Sequence, residues 1–121
     1  MPEKINIHDF GGNSKTTLPK ELGKLRNLQV LDLRNNNLSL STIPSEIGQL
    51  VSLRKLLLAN NKLLSLPPEI KTMKDLIELD VSNNALTALP EEIGDLVTLK
   101  RYHSTYMLLT RVMLTFLFSL D

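Results

Sequence analysis

Three stretches of this chain superimpose without a gap: LQVLDLRNNNL at 28–38, LRKLLLANNKL at 53–63 and LIELDVSNNAL at 76–86. Each reads apolar-x-x-apolar-x-apolar-x-x-Asn-x-Leu. The anchors are Leu28, Leu31, Leu33, Asn36 and Leu38, then Leu53, Leu56, Leu58, Asn61 and Leu63, then Leu76, Leu79, Val81, Asn84 and Leu86. The links between them align as well: LPKELGKLRNL, IPSEIGQLVSL, LPPEIKTMKDL and LPEEIGDLVTL. The period is 25 residues from Leu28 to Leu53, where SLSTIP is longer, and 23 from Leu53 to Leu76. A period of this length makes each unit one supersecondary element that must stack on its neighbours.

The anchors specify local chemistry. Alternate residues in the Leu-x-Leu segment point to one face, the two-residue period of a strand with its leucines buried. The chain must then turn sharply, leaving backbone donors and acceptors without strand partners. A buried asparagine carries two N–H donors and one carbonyl acceptor on a short stem, so it can satisfy these groups turn after turn. The series Asn36, Asn61 and Asn84 is therefore expected to form a ladder. In each link a proline opens a short helical turn, a glutamate follows at its positive end, and residues such as Ile47, Leu50 and Leu53 recur every three positions on an inward face. Each unit has a short strand on one side, a short helix or turn on the other, and leucine between: an α/β solenoid in which no unit covers its own core.

Composition excludes several functions. The chain has 121 residues, 14 basic and 13 acidic, for a net charge of +1, which leaves no broad electrostatic footprint for nucleic acid. Cysteine is absent, which removes disulfides, thiolate metal sites and cysteine nucleophiles, and points to a reducing, cytoplasmic setting. MPEKINIHDF lacks the basic-then-apolar order of a secretion signal.

One stretch, GGNSKTT at 11–17, has the residue types of a phosphate-binding loop. Such a loop needs a second glycine directly before the lysine and a helix starting there. Here Ser14 precedes Lys15, and counting back 23 residues from Leu28 and Asn36 reaches Ile5 and Asn13. Residues 1–17 accordingly read as a worn first repeat with Ile5, His8, Phe10, Asn13 and Lys15 at anchor positions, and Asn13 joins the expected ladder. His8 and His103, without cysteine or an acidic cluster, make no metal site. Asp32 and Asp80 fall two strands apart, roughly 10 Å at about 4.8 Å per strand, and read as solvated acids. No catalytic residue, cofactor site or metal site is expected.

The units LPxEIGxLxxLxxLxLxxNxL resemble the intracellular 23-residue class of leucine-rich repeat, above all the Ras suppressor and plant intracellular Ras-group-related proteins and the Scribble-type scaffolds. The resemblance covers about Leu18–Leu99. It implies a leucine-rich repeat solenoid with a parallel concave β-sheet and short helices or turns on the convex side. The residues themselves divide the chain into a degenerate repeat at 1–17, regular repeats at 18–99 and a divergent apolar tail at 100–121. The resemblance further implies a protein partner, specifically a small GTPase or a component of its pathway.

Function then falls to the exposed strand residues. By register these are Val30, Asp32, Arg34 and Asn35, then Lys55, Leu57, Ala59 and Asn60, then Glu78, Asp80, Ser82 and Asn83, followed by Arg101 and His103. Lys55, Glu78 and Arg101 alternate in sign across adjacent strands. Two accounts stand: a stabilising charge ladder, worth tenths of a kcal/mol per pair, or a partner footprint with Leu57 and Ala59 as its apolar centre inside a charged rim. The second gives the candidate partner-binding residues as Val30, Asp32, Arg34, Lys55, Leu57, Ala59, Glu78, Asp80 and Arg101. The alternative function class is a truncated or alternatively spliced repeat fragment without independent binding.

The repeat register fails after LKR. In residues 101–121, Tyr102, Ser104 and Met107 replace leucine, valine and asparagine. The segment from Met107 to Leu120 has 14 residues with an arginine among them, whereas a membrane span needs about 20 apolar residues. Leu109, Val112, Met113, Phe116 and Leu120 follow helical spacing, so the tail is expected to lie over the last repeat as an imperfect cap.

Overall fold

The computed structural model describes residues 4–6, 18–39, 43–87, 91–96 and 98–104 of the chain. Among them, five three-residue strands form one parallel sheet in chain order: β1 (Lys4–Asn6), β2 (Val30–Asp32), β3 (Lys55–Leu57), β4 (Glu78–Asp80) and β5 (Arg101–His103). The repeats set the register, with Leu31 opposite Leu56, Leu56 opposite Leu79 and Leu79 opposite Tyr102. Parallel pairing thus continues past residue 99 into Arg101–His103. This is the solenoid of stacked units that the periodicity predicts, with the parallel sheet that the resemblance implies.

On the opposite side each link forms a 3-10 turn, at Lys20–Lys24, Ser45–Gln49, Pro68–Thr72 and Glu91–Asp95. The spacing of three in the sequence is the period of this helix. The Leu50 amide donates to the Ile47 carbonyl at 3.2 Å and the Leu53 amide to the Leu50 carbonyl at 3.1 Å. Met73 donates to Ile70 at 3.0 Å and Leu76 to Met73 at 3.1 Å in the same way. The residues that bury the turn are therefore also those that hold it. Pro19, Pro44 and Pro67 stand just before their turns with an extended backbone, Pro68 opens its turn, and the Pro19, Pro44 and Pro67 carbonyls accept the first bond at 3.1–3.2 Å.

The core is a stack of aliphatic layers. Leu28, Leu31, Leu33, Leu38, Leu50, Leu53, Leu63, Leu76 and Leu79 are fully buried, and Ile47, Leu56, Leu58, Ile70 and Val81 nearly so. At roughly 1.5–3 kcal/mol for each fully buried aliphatic side chain, the stacking supplies a gross stabilisation that no isolated unit could gather. On the convex side the turns pack closely. A Cβ on Gly48 would stand 2.9 Å from the Glu69 carbonyl oxygen, and one on Gly23 would stand 2.6 Å from that of Glu46. Glycine is required at both positions so that successive backbones can approach.

One expectation about the first repeat is corrected. Ile5 pairs with Leu31, not with the position of Leu28, so the step is 26 residues rather than 23. Strand register is set by alternation along the strand, whereas the following loop absorbs extra residues at little cost. The count that assigned Asn13 to the ladder is therefore not the count the strand follows. His8, Phe10, Asn13 and Lys15 lie outside the described residues, as does the apolar tail from residue 105 onward. Among the described residues no helix is long and apolar enough to cross a membrane.

Candidate protein-binding face

With Leu31, Leu56 and Leu79 turned into the core, strand alternation presents the residues on either side of them to the outer face of the sheet. Two rows result. Val30, Lys55, Glu78 and Arg101 stand side by side in one; Asp32, Leu57, Asp80 and His103 stand side by side in the other.

The first row is an ion-pair cluster centred on Glu78. Its Oε1 accepts from Arg101 Nε at 3.2 Å and lies 3.9 Å from Lys55 Nζ. Its Oε2 lies 3.2 Å from His103 Nε2, so the histidine of the second row reaches diagonally to the same carboxylate. Glu78 is half-buried while its three partners are exposed, and pairs of this kind contribute tenths of a kcal/mol each. His103 belongs to this cluster, and the signal that could have found it is its spacing of 25 from Glu78, one strand over and two residues along.

In the second row Asp32 departs from the expected solvated acid. It is 4% exposed and grips Arg34: Oδ1 accepts from Arg34 Nε at 2.8 Å, and Oδ2 accepts from a terminal guanidinium nitrogen at 2.6 Å. The Arg34 backbone N–H also donates to Oδ1 at 3.2 Å. The hydrogen bond to Asp32, then its charge, raises the Arg34 pKa, and the charge of Asp80 adds to the effect. Asp80 folds back in the same way, Oδ1 accepting from the Ser82 hydroxyl at 2.6 Å and the Ser82 N–H at 3.0 Å. An aspartate that ends a strand can thus bind the backbone two residues on, which is why Asp32 is covered rather than solvated.

Ala59 is the second correction. Expected at the apolar centre of the face, it is buried, with 5% of its surface exposed. The chain is already curling at this position. The Ala59 carbonyl accepts from the Asn35 amide at 3.1 Å and from Asn61 Nδ2 at 3.3 Å, which draws the small side chain beneath its neighbours. The apolar centre is therefore Leu57, half-buried between Asp32 and Asp80, with Val30 diagonally adjacent.

The asparagines behind this face form the ladder. Asn61 Oδ1 accepts from the amides of Asn36 and Leu38 in the preceding repeat, at 3.0 and 2.9 Å. Its Nδ2 donates to the carbonyls of Leu33 and Leu58, at 3.0 and 2.9 Å. Asn84 repeats the arrangement, accepting from Leu63 at 3.0 Å and donating to Leu58 and Val81 at 2.9 and 3.0 Å. The asparagine before each ladder residue has a different task. Asn35, Asn60 and Asn83 have φ of 63°, 59° and 55°, the left-handed region that asparagine tolerates better than other side chains. The doubled Asn-Asn in every unit was the available signal for this division of labour.

Among the described residues no three His, Asp or Glu side chains converge to hold a metal ion, and Asp32 and Asp80 are each engaged by their own loop.

Comparison with known proteins places these features. Residues 51–101 match a leucine rich repeat family profile, and residues 27–50 match a second. A leucine-rich repeat protein of Leptospira interrogans is 41% identical, with a TM-score of 0.72 over 82% of this chain and 24% of that one. The ectodomain of the Arabidopsis thaliana membrane receptor kinase GASSHO1/SCHENGEN3, in complex with CASPARIAN STRIP INTEGRITY FACTOR 2, is 29% identical. It has a TM-score of 0.64 over 82% of this chain and 12% of that one. The plant peptide hormone receptor RGFR1, in complex with RGF2, is 29% identical, with a TM-score of 0.62 over 84% and 17%. The chain thus spans at most 24% of the length of these three proteins. No curated protein aligns with it significantly.

Proposed function

The chain belongs to the leucine-rich repeat family over residues 27–101, and from that premise we propose that it is a binding module that receives a partner protein on the outer face of its sheet. The observation that carries this reading is the arrangement around Leu57. A half-buried aliphatic side chain is bracketed in register by Asp32 and Asp80, beside a row of alternating charges at Lys55, Glu78 and Arg101. An apolar centre within a charged rim is the usual anatomy of a protein-binding patch. Mixed sign on so small a face suits a polypeptide better than a phosphate backbone. Two of the similar structures are receptors in complex with named ligands, which supports the reading by analogy.

The finer reading is that the partner is a small GTPase or a component of its pathway, in the cytoplasm. It rests on the resemblance of the repeat units to the Ras-suppressor class and on the lack of cysteine. Affinity capture with the 121-residue chain tests both levels. The double variant Lys55→Gln, Leu57→Gln, which sets no new acid beside Glu78, Asp32 or Asp80, should lose the partner that the native chain retains while melting within about 3 °C of it, because neither side chain is in the core. Retention of the same partner by that variant contradicts the sheet-face reading. A partner unrelated to small GTPases contradicts only the finer one.

A further inference from the structure

Along the edge where the chain enters each strand, the residues just before β2 to β5 are Gln29, Arg54, Ile77 and Lys100. Their backbones are stacked firmly. The Gln29 carbonyl accepts from both Arg54 and Lys55 amides at 2.8 and 3.0 Å. The Arg54 carbonyl likewise accepts from Ile77 and Glu78 at 2.7 and 3.0 Å, and the Ile77 carbonyl from Lys100 and Arg101 at 2.8 and 2.9 Å. Beside this row runs a groove of about 640 Å³, lined by Arg54, Asp75, Ile77 and Lys100 among others. A second hollow of about 310 Å³ continues it over Ile77 towards Lys55 and Arg101.

The electrostatics of the edge differ from those of the chain. The whole sequence is nearly balanced, with 14 basic and 13 acidic residues. The two hollows together are lined by four cations, Arg54, Lys55, Lys100 and Arg101, against one acid, Asp75. Lys55 and Arg101 share Glu78. Arg54 and Lys100 are exposed and form no ion pair among the described residues. They stand at the starts of alternate strands, roughly 10 Å apart at the backbone, with the half-buried Ile77 before the strand between them. Two unpaired cations about a Debye length apart, at about 8–10 Å in ordinary buffers, reinforce each other's attraction for an anion placed between them.

We propose that this edge groove is a second docking site, adjoining the Leu57 face and sharing Lys55 and Arg101 with its rim, and that it takes an extended acidic peptide segment of a protein partner. Carboxylates on alternate residues of an extended strand lie on one side, about 6.6–6.8 Å apart, within reach of the long Arg54 and Lys100 side chains. Ile77 then meets the aliphatic part of the segment. One acid among the lining cations, and a chain net charge of only +1, suit a peptide with spaced carboxylates better than a continuous phosphate backbone.

The test is fluorescence anisotropy of the full 121-residue chain with a labelled peptide of alternating glutamate and alanine, against its glutamine counterpart and a single-stranded oligonucleotide. The acidic peptide should bind, with affinity falling as salt rises, and the glutamine peptide should not. Arg54→Glu with Lys100→Glu should weaken binding by at least about tenfold, as reversal of steering charges does. The milder Arg54→Gln, Lys100→Gln pair should weaken it less, with an unchanged melting curve for both. Leu57→Ala, which adds no charge, should leave it unaltered, which separates this site from the apolar centre of the sheet face. Failure of the acidic peptide to bind, binding that survives the charge reversal, or tighter binding of the oligonucleotide overturns the proposal.

Discussion

Replacing Asn61 by alanine removes the acceptor shared by the Asn36 and Leu38 amides and the donor to Leu33 and Leu58 at once. Asn61 is 8% exposed, so water has little access to those groups. The variant should lose about 1–3 kcal/mol in urea unfolding, the cost of stranding buried polar groups; a loss of only a few tenths would mean that other groups serve the turn. Tyr102 offers the opposite experiment. It occupies the strand position of Leu31, Leu56 and Leu79, yet its hydroxyl is shielded and has no hydrogen-bond partner among the described residues. Burial pushes its pKa above the ordinary tyrosine value, and nearby Ser104 opposes the shift weakly. A raised folded-state pKa means that the contribution of the neutral phenol is fully present below about pH 10 and is lost as pH rises through the folded value. Tyr102→Phe should therefore cost nothing at neutral pH and should lessen the alkaline fall in melting temperature. Destabilisation of a kcal/mol or more at pH 7 would reveal a partner for the hydroxyl.

The repeated elements show which parts of a sequence carry structure openly. The strands, their register from β2 to β5 and the Asn36–Asn61–Asn84 series could be read because three units repeat the same residues at fixed spacing. The convex turns could be read as short helical segments because their apolar residues recur every three positions, which the 3-10 hydrogen bonds match. Three features resisted. Ala59 follows the strand's alternation in sequence, but the turn that buries it begins one residue early. Asp32 looked solvated because the arginine that covers it lies in its own loop. β1 slipped by three residues because a single worn unit has no neighbour of equal spacing to count from. At this scale the glycines of the convex turns are the sharpest test. Gly48→Ala places a methyl group 2.9 Å from a backbone oxygen of the next repeat and should cost about 1–3 kcal/mol through forced separation of the turns. Lys71, the residue 23 positions on, is exposed, and Lys71→Ala should change stability by less than about 0.5 kcal/mol. Equal effects of the two would show that the close approach at Gly48 is relieved at no expense.

At the scale of the whole molecule, stacking places side chains from distant repeats on two adjoining surfaces. One is the sheet face around Leu57, with Asp32, Asp80 and the Glu78 cluster about it; the other is the entry edge with Arg54 and Lys100. Neither is encoded within a single repeat, so each depends on the period being kept through Arg101–His103. Site-specific photo-crosslinking tests the central claim, that the sheet face receives the partner. A photoreactive phenylalanine analogue is placed at position 57 in one chain and at position 71, on the convex side, in another. Each is irradiated with the partner retained by affinity capture. The account predicts a covalent adduct from position 57 and none from position 71. An adduct from position 71 alone would contradict it.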